Sequence, residues 1–262
     1  MSDTIPGVLS RIVAHKNDEL AGRVSTRDSL EEAASARRAA RRDFHAALAA
    51  RRPSIIAEAK KASPSKGLLA PDFDPARIAR AYAEGGASCL SVLTDERFFQ
   101  GSLADLEAAR AACPLPALRK DFTLSEFHVV EAAAHGADAI LLIAAILSAG
   151  QMTALRELAE KHGMAALVEV HDEEELLKAI DSGAAIIGVN NRNLHDFSVS
   201  LETSLRLADL IPEPTLRVSE SGIHSPDDVR RLLDAGYQSF LVGEHLMRSG
   251  DPVAALRALT AA

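Results

Sequence analysis

Short apolar runs and amphipathic stretches alternate along most of the chain. Each run has the length of a buried strand, and each is followed by apolar residues at helical spacing. The predicted strands are 54–59, 88–93, 115–118, 137–143, 165–170, 184–189, 215–218 and 239–242. The predicted helices are 75–84, 103–112, 125–135, 148–162, 173–182, 201–210, 226–235 and 252–260. Eight strand–helix units of this kind predict a (β/α)8 barrel, an α/β fold.

Proline and glycine mark the ends of several predicted helices. Pro226 and Pro252 each follow a Ser or Asp that suits a helix N-terminus. Gly136 and Gly236 come just after helical segments, where glycine often ends a helix. A doubly wound open sheet is the alternative, but its G-x-G-x-x-G fingerprint is missing after the first strand. The pattern therefore favours the closed barrel.

Residues 5–50 are predicted to form a helical extension before the barrel. Leu9, Ile12 and Val13 have helical spacing, and the alanine-rich segment 32–50 is a strong helix former. A basic cluster lies beside acidic residues in this segment, and we interpret it as a solvated helix face. That cluster consists of Arg37, Arg38, Arg41 and Arg42. We expect one domain over 1–262, with the extension at 1–50 and the barrel at 54–262.

Composition narrows the class of protein. A net charge of -8 argues against a nucleic-acid binder. Cys89 and Cys113 are too few for a disulfide framework, so we expect reduced, buried thiols. No apolar stretch has the length of a signal segment or a membrane span. We therefore expect a cytoplasmic protein without a membrane partner.

The first predicted strand carries charge on its inner face. Ile56, Glu58 and Lys60 alternate with their neighbours and therefore point the same way. A buried carboxylate and ammonium cost free energy unless they are paired or used in a site. These residues alone leave two interpretations open, a structural ion pair and a functional site.

Most of the other predicted strands also end in polar residues. In a barrel of this kind, function collects at the carboxyl ends of the strands. We therefore expect these residues to share one rim and form a site. They are Thr94, Asp95, Arg119, Lys120, Asp121, Glu169, His171, Asn190, Asn191, Arg192, Ser219, Glu220, Ser221 and Glu244, together with Glu58 and Lys60.

The chemistry of these residue types indicates a phosphorylated substrate and acid–base catalysis. Gly222 and Gly243 follow the last two strands, where this fold usually binds phosphate. Lys60 and Lys120 are candidate acids, and Glu58 and Glu169 are candidate bases or their charge partners. Phe122, Leu141 and Ile143 would form an apolar wall. No metal-binding motif is present, so we expect neither a metal nor a cofactor.

The chain resembles the indole-3-glycerol phosphate synthase family of tryptophan biosynthesis. The resemblance extends from the N-terminal helices through all eight units, in the family's order. The matching stretches are IAEAKKASPSKG at 56–67, SVLTDERFFQG at 91–101, LRKDF at 118–122, GADAILLI at 136–143, LVEVH at 167–171, GVNNRNL at 188–194, SESGI at 219–223 and LVGEHLM at 241–247.

This resemblance implies an activity and a set of site residues. The substrate would be 1-(2-carboxyphenylamino)-1-deoxyribulose 5-phosphate, closed to indole-3-glycerol phosphate with loss of carbon dioxide and water. The implied catalytic residues are Lys120 as general acid, Lys60 and Glu169 as an assisting pair, Glu58 as their orienting residue, and Asn190 and Ser221 as polar holders. The implied substrate-binding residues are Ser63, Phe99, Phe122, Leu141, Ile143, Arg192, Glu220, Gly222, Gly243 and Glu244.

Three rival functions stay open at this point. Phosphoribosylanthranilate isomerase would end its first strand in cysteine and its sixth in aspartate, where this chain has Lys60 and Asn190. A Schiff-base aldolase would use one lysine covalently, and a barrel that only binds phosphorylated ligands would leave the charged rim without a purpose.

We expect a monomer that acts on a small phosphorylated molecule. Contact with other enzymes of the pathway is left open. The segment 62–71 is a candidate lid.

Overall fold

A closed barrel of eight parallel strands forms the centre of the computed structural model, which describes residues 7–23 and 27–262. The strand Ser54–Ala59 pairs with both Ser239–Val242 and Cys89–Leu93, and this closes the barrel. The predicted fold class is confirmed, and every predicted strand overlaps an observed one. The barrel strands are β1 Ser54–Ala59, β4 Cys89–Leu93, β5 Ala117–Lys120, β6 Ala139–Ile143, β7 Ala165–Val170, β8 Ile186–Asn190, β9 Leu216–Glu220 and β10 Ser239–Val242.

Helices follow the strands and cover the outside of the barrel. They are α4 Pro75–Gly85, α5 Glu96–Phe99, α6 Leu103–Ala112, α7 Glu126–Ala134, α8 Ala149–Lys161, α9 Glu173–Asp181, α10 Glu202–Leu207, α11 Pro226–Asp234, α12 Glu244–Arg248 and α13 Pro252–Thr260. The predicted proline signals are confirmed, because Pro226 and Pro252 occupy the first turns of α11 and α13. A 3-10 turn, Ala208–Leu210, extends α10.

Two side-chain layers make the core. Alternate strand residues point into the barrel, where α3 (Phe44–Ala49) closes the amino-terminal end with Phe44 and Leu48. The intervening residues, such as Ile55 and Ala57, pack against the helices. Cys89 and Cys113 are buried free thiols, in agreement with the prediction.

The loop after β1 contains secondary structure that the sequence pattern did not predict. β2 (Ala62–Ser63) and β3 (Gly67–Leu68) pair as a small antiparallel hairpin. Pro64 and the polar residues around it form the turn between these strands. The role of this segment as a lid stays a prediction.

The N-terminal extension is helical where it is described. α1 is Gly7–Arg23 and α2 is Arg27–Arg37, followed by a 3-10 turn at Arg38–Ala40 and then α3. The predicted helical residues 5, 6 and 24–26 lie outside the described residues. That the extension and the barrel make one domain stays a prediction.

The interpretation of the basic cluster as a solvated helix face is wrong for two of its residues. Arg41 donates hydrogen bonds to the carbonyls of Ala133, Ala137 and His162. Arg42 donates to two carbonyls near the end of α6, those of Arg110 and Leu115. The last carbonyls of a helix lack partners within the helix and attract a cation. These two arginines therefore attach the extension to the barrel.

In the described ranges, 7–23 and 27–262, no helix is both long enough and apolar enough to cross a membrane.

Candidate active site

A cavity of about 590 Å³ lies at the carboxyl ends of the barrel strands. All of the predicted catalytic and substrate-binding residues line it, although they come from every part of the barrel. These residues are Glu58, Lys60, Ser63, Phe99, Lys120, Phe122, Leu141, Ile143, Glu169, Asn190, Arg192, Glu220, Ser221, Gly222, Gly243 and Glu244.

Lys120 occupies the centre of the charged part of the cavity. It ends β5 with its Nζ 2.6 Å from Glu169 Oε2 and 3.6 Å from Glu220 Oε2. Burial alone would favour the neutral amine, but the charges of Glu169, Glu220 and Glu58 and a hydrogen bond to Glu169 together raise the pKa of Lys120. Lys120 is therefore an ammonium with donors aimed at the cavity.

A second lysine–carboxylate pair comes from β1. Lys60 Nζ lies 2.5 Å from Glu58 Oε1, and the glutamate is the more deeply buried partner. Gly243, which immediately follows β10, makes room for this carboxylate, because a Cβ at that position would lie 2.3 Å from Glu58 Oε1. The sequence pattern predicted that Gly243 serves a phosphate. The structure shows that the absence of a side chain at Gly243 also leaves space for the Glu58 carboxylate.

The two innermost carboxyl groups have opposite pKa shifts. Burial would raise the pKa of Glu169, but Lys120, His171 and hydrogen bonds from Lys120 and Asn190 lower it. Burial raises the pKa of Glu220; the charges of Glu169 and Glu58 add to this rise, and Lys120 opposes it. Two carboxyl groups whose pKa values are pushed apart can act as base and acid in one site.

Glu220 is also incompletely hydrogen-bonded. Its Oε1 atom is buried, and no group in the described part of the chain hydrogen-bonds to it. A Cβ on Gly188 of β8 would lie 2.1 Å from this oxygen, so glycine there leaves space for the carboxyl group. The need for glycine at this position could not be read from the sequence pattern, which treated Gly188 as part of a strand.

The opposite wall of the cavity is apolar. Phe99 and Phe122 have ring centroids 6.2 Å apart, and Leu141 and Ile143 end β6 beside them. The extension completes this wall with residues of α1 that the sequence pattern assigned only to helix packing. They are Val8, Leu9 and Ile12. Helical spacing showed that α1 has an apolar face, but gave no signal that part of that face borders a cavity.

The ends of β9 and β10 form the third part of the site. Ser221 and Gly222 have positive φ values of 67° and 79°. The Ser221 carbonyl accepts a hydrogen bond from the Asn191 side chain at 3.0 Å, which holds this turn. Gly222 and Gly243 both line the cavity, and Gly243 immediately precedes α12.

Glu244 is surrounded by cations at this end of the cavity. Its carboxylate oxygens lie 3.5 Å from Lys66 Nζ, 3.5 Å from Arg192 and 3.3 Å from Arg248. Lys66 belongs to the turn between β2 and β3, and the sequence pattern did not single it out. Together, Lys66 and Arg192 supply the local positive charge that an acidic protein needs to bind an anion.

The expectation that all polar strand ends share one rim is wrong for several of them. Thr94, Asp95 and Arg119 do not line the cavity but face α1 and α7, where Lys16 Nζ lies 3.0 Å from Asp95 Oδ2. Asn191 and Ser219 hydrogen-bond to each other at 3.0 Å behind the strand ends. Strand alternation explains the division at Arg119 and Ser219, because successive side chains of a strand point to opposite faces. Thr94 and Asp95 follow the last residue of β4, and Asn191 follows the last residue of β8, so alternation does not apply to them.

Within residues 7–23 and 27–262, no group of three or more His, Cys, Asp or Glu side chains is arranged to hold a metal ion.

Comparison with known proteins assigns the family. The model of the indole-3-glycerol phosphate synthase family matches residues 9–259. The chain belongs to this family. Its enzymes are carboxy-lyases of tryptophan biosynthesis, so the chain belongs to that enzyme class.

Relatives in the indole-3-glycerol phosphate synthase family match nearly the whole chain. The indole-3-glycerol phosphate synthase of Polaromonas naphthalenivorans is 50% identical over 258 residues, which cover 96% of this chain and 98% of the relative. That of Chromobacterium violaceum is 51% identical over 257 residues, covering 96% and 97%.

Solved structures of other barrels share the fold alone. A tryptophan synthase α-subunit from Pyrococcus furiosus has a TM-score of 0.60 at 16% identity, covering 81% of this chain and 99% of its own. A 3-hexulose-6-phosphate synthase has a TM-score of 0.62 at 16% identity, covering 79% and 98%.

Proposed function

We propose that this cavity binds 1-(2-carboxyphenylamino)-1-deoxyribulose 5-phosphate and converts it to indole-3-glycerol phosphate, carbon dioxide and water. One observation carries the proposal. A single cavity contains two lysine–glutamate pairs, an apolar wall on one side and a basic, glycine-lined end on another. The carbonyl and hydroxyls of the substrate match the lysine–glutamate pairs, its aromatic ring matches the apolar wall, and its phosphate matches the basic end.

The phosphate fits the end of the cavity near β9 and β10. Gly222 and Gly243 line this end of the cavity and have no side chain to keep a phosphate from their backbone N–H groups, and Lys66 and Arg192 supply positive charge. The carboxylate of Glu244 is neutralised by its cations, so the residue can contact the phosphate through its backbone N–H. Ser63, on the hairpin after β1, borders the same space.

The aromatic ring fits the apolar wall. Phe99, Phe122, Leu141 and Ile143 would hold it beside Lys120, and residues of α1 complete this wall. Burial of this ring orients the substrate so that its carboxylate-bearing carbon faces the carbonyl.

Ring closure needs a proton donor at the carbonyl. The ring carbon that bears the carboxylate forms a bond to the carbonyl carbon, and the carbonyl oxygen takes a proton from Lys120. Because the ring loses its aromaticity in this step, the carbonyl carbon must be strongly electrophilic. A positioned ammonium makes it so by donating a proton to the carbonyl oxygen. The buried carboxylates around Lys120 keep it protonated before the step.

Loss of carbon dioxide and water then restores the aromatic system. The bond to the carboxylate breaks, its electron pair returns to the ring, and carbon dioxide leaves without a proton. Lys60 next protonates the departing hydroxyl, and Glu169 removes a proton from the adjacent methylene. These two transfers release one water and complete the indole.

The remaining polar residues hold these groups in place. Glu58 aims Lys60 through their 2.5 Å contact. Asn190 uses its carbonyl oxygen to accept from the Arg192 backbone at 3.0 Å, and its side chain also hydrogen-bonds to Glu169. Ser221 and Glu220 lie at the next strand end, where they would contact substrate hydroxyl groups.

The direct test supplies the substrate with a 13C-labelled carboxylate. We expect indole fluorescence and labelled carbon dioxide to appear together in equal amounts. Protein that is folded by circular dichroism but yields neither product would refute the proposed function. Borohydride added during turnover should trap no covalent adduct, since no step uses a Schiff base.

We also propose that the protein is cytoplasmic, as its composition predicts, and that it is a monomer. Sedimentation of the purified protein and fractionation of cells test these two statements separately.

A further inference from the structure

His171 lies directly behind Glu169 and outside the cavity. It follows β7, and its Nε2 is 3.5 Å from Glu169 Oε1, the carboxylate oxygen that does not contact Lys120. Its other ring nitrogen, Nδ1, is 2.9 Å from Glu175 Oε2. The imidazole is therefore held between two carboxylates, with only 12% of its side chain exposed.

We propose that His171 is a positioning residue, an imidazolium held by Glu175 that keeps Glu169 ionised while Lys120 is without its proton. This inference rests on the proposed function, in which Glu169 is the base of the dehydration. His171 touches neither the substrate nor the reacting atoms, so it acts only through Glu169.

The hydrogen-bonding pattern indicates two protons on the ring. A carboxylate only accepts hydrogen bonds, so Nδ1 carries a proton towards Glu175. Nε2 is buried and has no hydrogen-bond partner in the described part of the chain, and Glu169 Oε1 is its ion-pair neighbour. An unprotonated Nε2 would place a lone pair against a carboxylate, whereas a protonated one is attracted to it.

The charges around the ring all favour its protonated form. Glu169 faces it from β7, Glu175 from α9 and Glu220 from β9. Burial opposes the charged form, but the hydrogen bond to Glu175 and the charges of these three glutamates together raise the pKa of His171. Lys120, on the far side of Glu169, is the other cation that faces this carboxylate.

The start of α9 fixes Glu175 in this position. Asp172 is the N-cap and accepts a hydrogen bond from the Glu175 backbone at 2.9 Å. The Glu175 carboxylate turns back and also accepts from the His171 backbone N–H at 2.8 Å. A purely structural explanation therefore exists, in which Glu175 only caps the helix, and the test must distinguish it from the proposal.

The reaction creates the need for a second cation. When Lys120 gives its proton to the substrate, Glu169 loses its closest positive charge and remains near Glu58 and Glu220. Without compensation its pKa would rise, and it would be less able to accept the methylene proton at neutral pH. An imidazolium on the other oxygen keeps its charge throughout the cycle and holds that pKa down.

Two neutral variants and one control test this role by steady-state kinetics. In His171→Gln we expect the acidic limb of the kcat–pH profile to move to higher pH by about one unit, which lowers kcat on that limb about tenfold. KM should change less than about twofold. Glu175→Gln should shift the limb in the same direction. Because both act on one group, the double variant should lose no more than His171→Gln alone.

Glu174→Gln is the matched control, since Glu174 is an exposed carboxylate on the same helix, paired with Lys178. It should keep the profile of the unmodified enzyme. If His171→Gln lowers the melting temperature but leaves the acidic limb unmoved, His171 has only a structural role at the start of α9, and the proposal is overturned.

A second measurement does not depend on turnover. In protein with 15N-labelled histidine, both ring nitrogens of His171 should have imidazolium shifts at pH 7, above the ordinary histidine pKa of about 6.5. A neutral ring at that pH would also overturn the proposal. If the unmodified enzyme made no product, the proposed function would fail, and the ring shifts would still decide the charge of His171.

Discussion

Three consecutive charged residues at the end of β5 serve two different buried networks. Arg119 and Asp121 point outward to an outer network with Lys16, Asp95 and Glu131. Lys120, between them, points inward to an inner network that consists of Lys120, Glu58, Lys60, Glu169 and Glu220. Both networks are rich in carboxylates, but they are built differently.

The outer network is closed and its charges are paired, although Asp95 Oδ2, the ion-pair neighbour of Lys16, has no hydrogen-bond partner in the described part of the chain. Asp121 accepts from the Thr94 hydroxyl at 2.6 Å and from the Phe122 backbone at 2.8 Å, and it pairs with Arg119 and Lys16. Burial would raise the pKa of Asp121, but these cations and donors lower it well below the ordinary value. The space beside this network is only about 20 Å³.

The inner network is open and mismatched. It borders a cavity of about 590 Å³, one Glu220 oxygen has no hydrogen-bond partner in the described part of the chain, and the pKa of Glu220 is raised. The comparison indicates that the outer charges stabilise the fold, whereas the inner charges are held in a less stable arrangement that suits proton transfer.

The largest expected effect is on the inner network. Lys120→Ala should lower kcat by several orders of magnitude while substrate still binds, because the acid of ring closure is lost. Stopped-flow or steady-state indole fluorescence measures this, with the exposed Lys161→Ala as control. Turnover close to that of the unmodified enzyme would remove Lys120 from the mechanism.

The outer network should respond in stability. Asp121→Asn leaves Arg119 and Lys16 partly uncompensated, so we expect a loss of about 3 kcal/mol in the free energy of unfolding at pH 7. The lowered pKa of Asp121 gives a stabilisation that is present above the ordinary pKa of about 3.9. It is lost as pH falls through the lower folded-state value.

Urea unfolding from pH 7 downward should therefore show the Asp121→Asn deficit shrinking below about pH 4. The exposed Asp209→Asn is the control, and it should match the unmodified protein at every pH. A deficit that stayed constant down to pH 2 would contradict the assigned role of the Asp121 charge.

Glu220→Gln should separate the two networks most clearly. Because the folded-state pKa of Glu220 is raised, its ionisation disfavours folding increasingly as pH rises from the ordinary glutamate pKa of about 4.3. We expect the variant to equal the unmodified protein near pH 4 and to gain about 1 kcal/mol, or roughly 2–4 °C in Tm, at pH 8.

The same variant should lose about tenfold in kcat only at pH values above the raised Glu220 pKa of about 8, where the carboxylate is ionised and Lys120 loses a neighbouring charge. Calorimetry and kinetics at both pH values test the two halves together, with the exposed Glu213→Gln as control. A destabilised Glu220→Gln protein would show that the inner charges stabilise the fold as the outer ones do.

The smallest expected effect concerns α1, which connects the two networks. Lys16 belongs to the outer network, while Ile12, one helical turn earlier, lines the cavity. Ile12→Ala should raise KM about threefold with kcat unchanged, because the apolar wall loses one contact. Val13→Ala on the same helix, which does not line the cavity, is the control, and an equal KM change in both would argue against a specific wall.

The grouping of the charged residues in the site was predictable from strand alternation and from the positions of the strand ends. Glu58, Lys60, Lys120 and Glu169 each follow a recognisable apolar run, so their shared rim follows from the barrel. The placement of Arg41 and Lys16 was not predictable, because their partners lie on helices and strands distant in the sequence. Gly243 makes room for Glu58 only because β10 closes the barrel against β1.

The alternation at the end of β5 also limits how this protein can tolerate insertions and deletions. A single residue gained or lost within the strand would exchange the two faces, so that Lys120 would turn to the helices and an arginine or aspartate to the cavity. Both networks would fail at once, and a change of side chain elsewhere could not restore either. Length variation among functional descendants of this sequence should therefore be confined to the loops on either side of Ala117–Lys120.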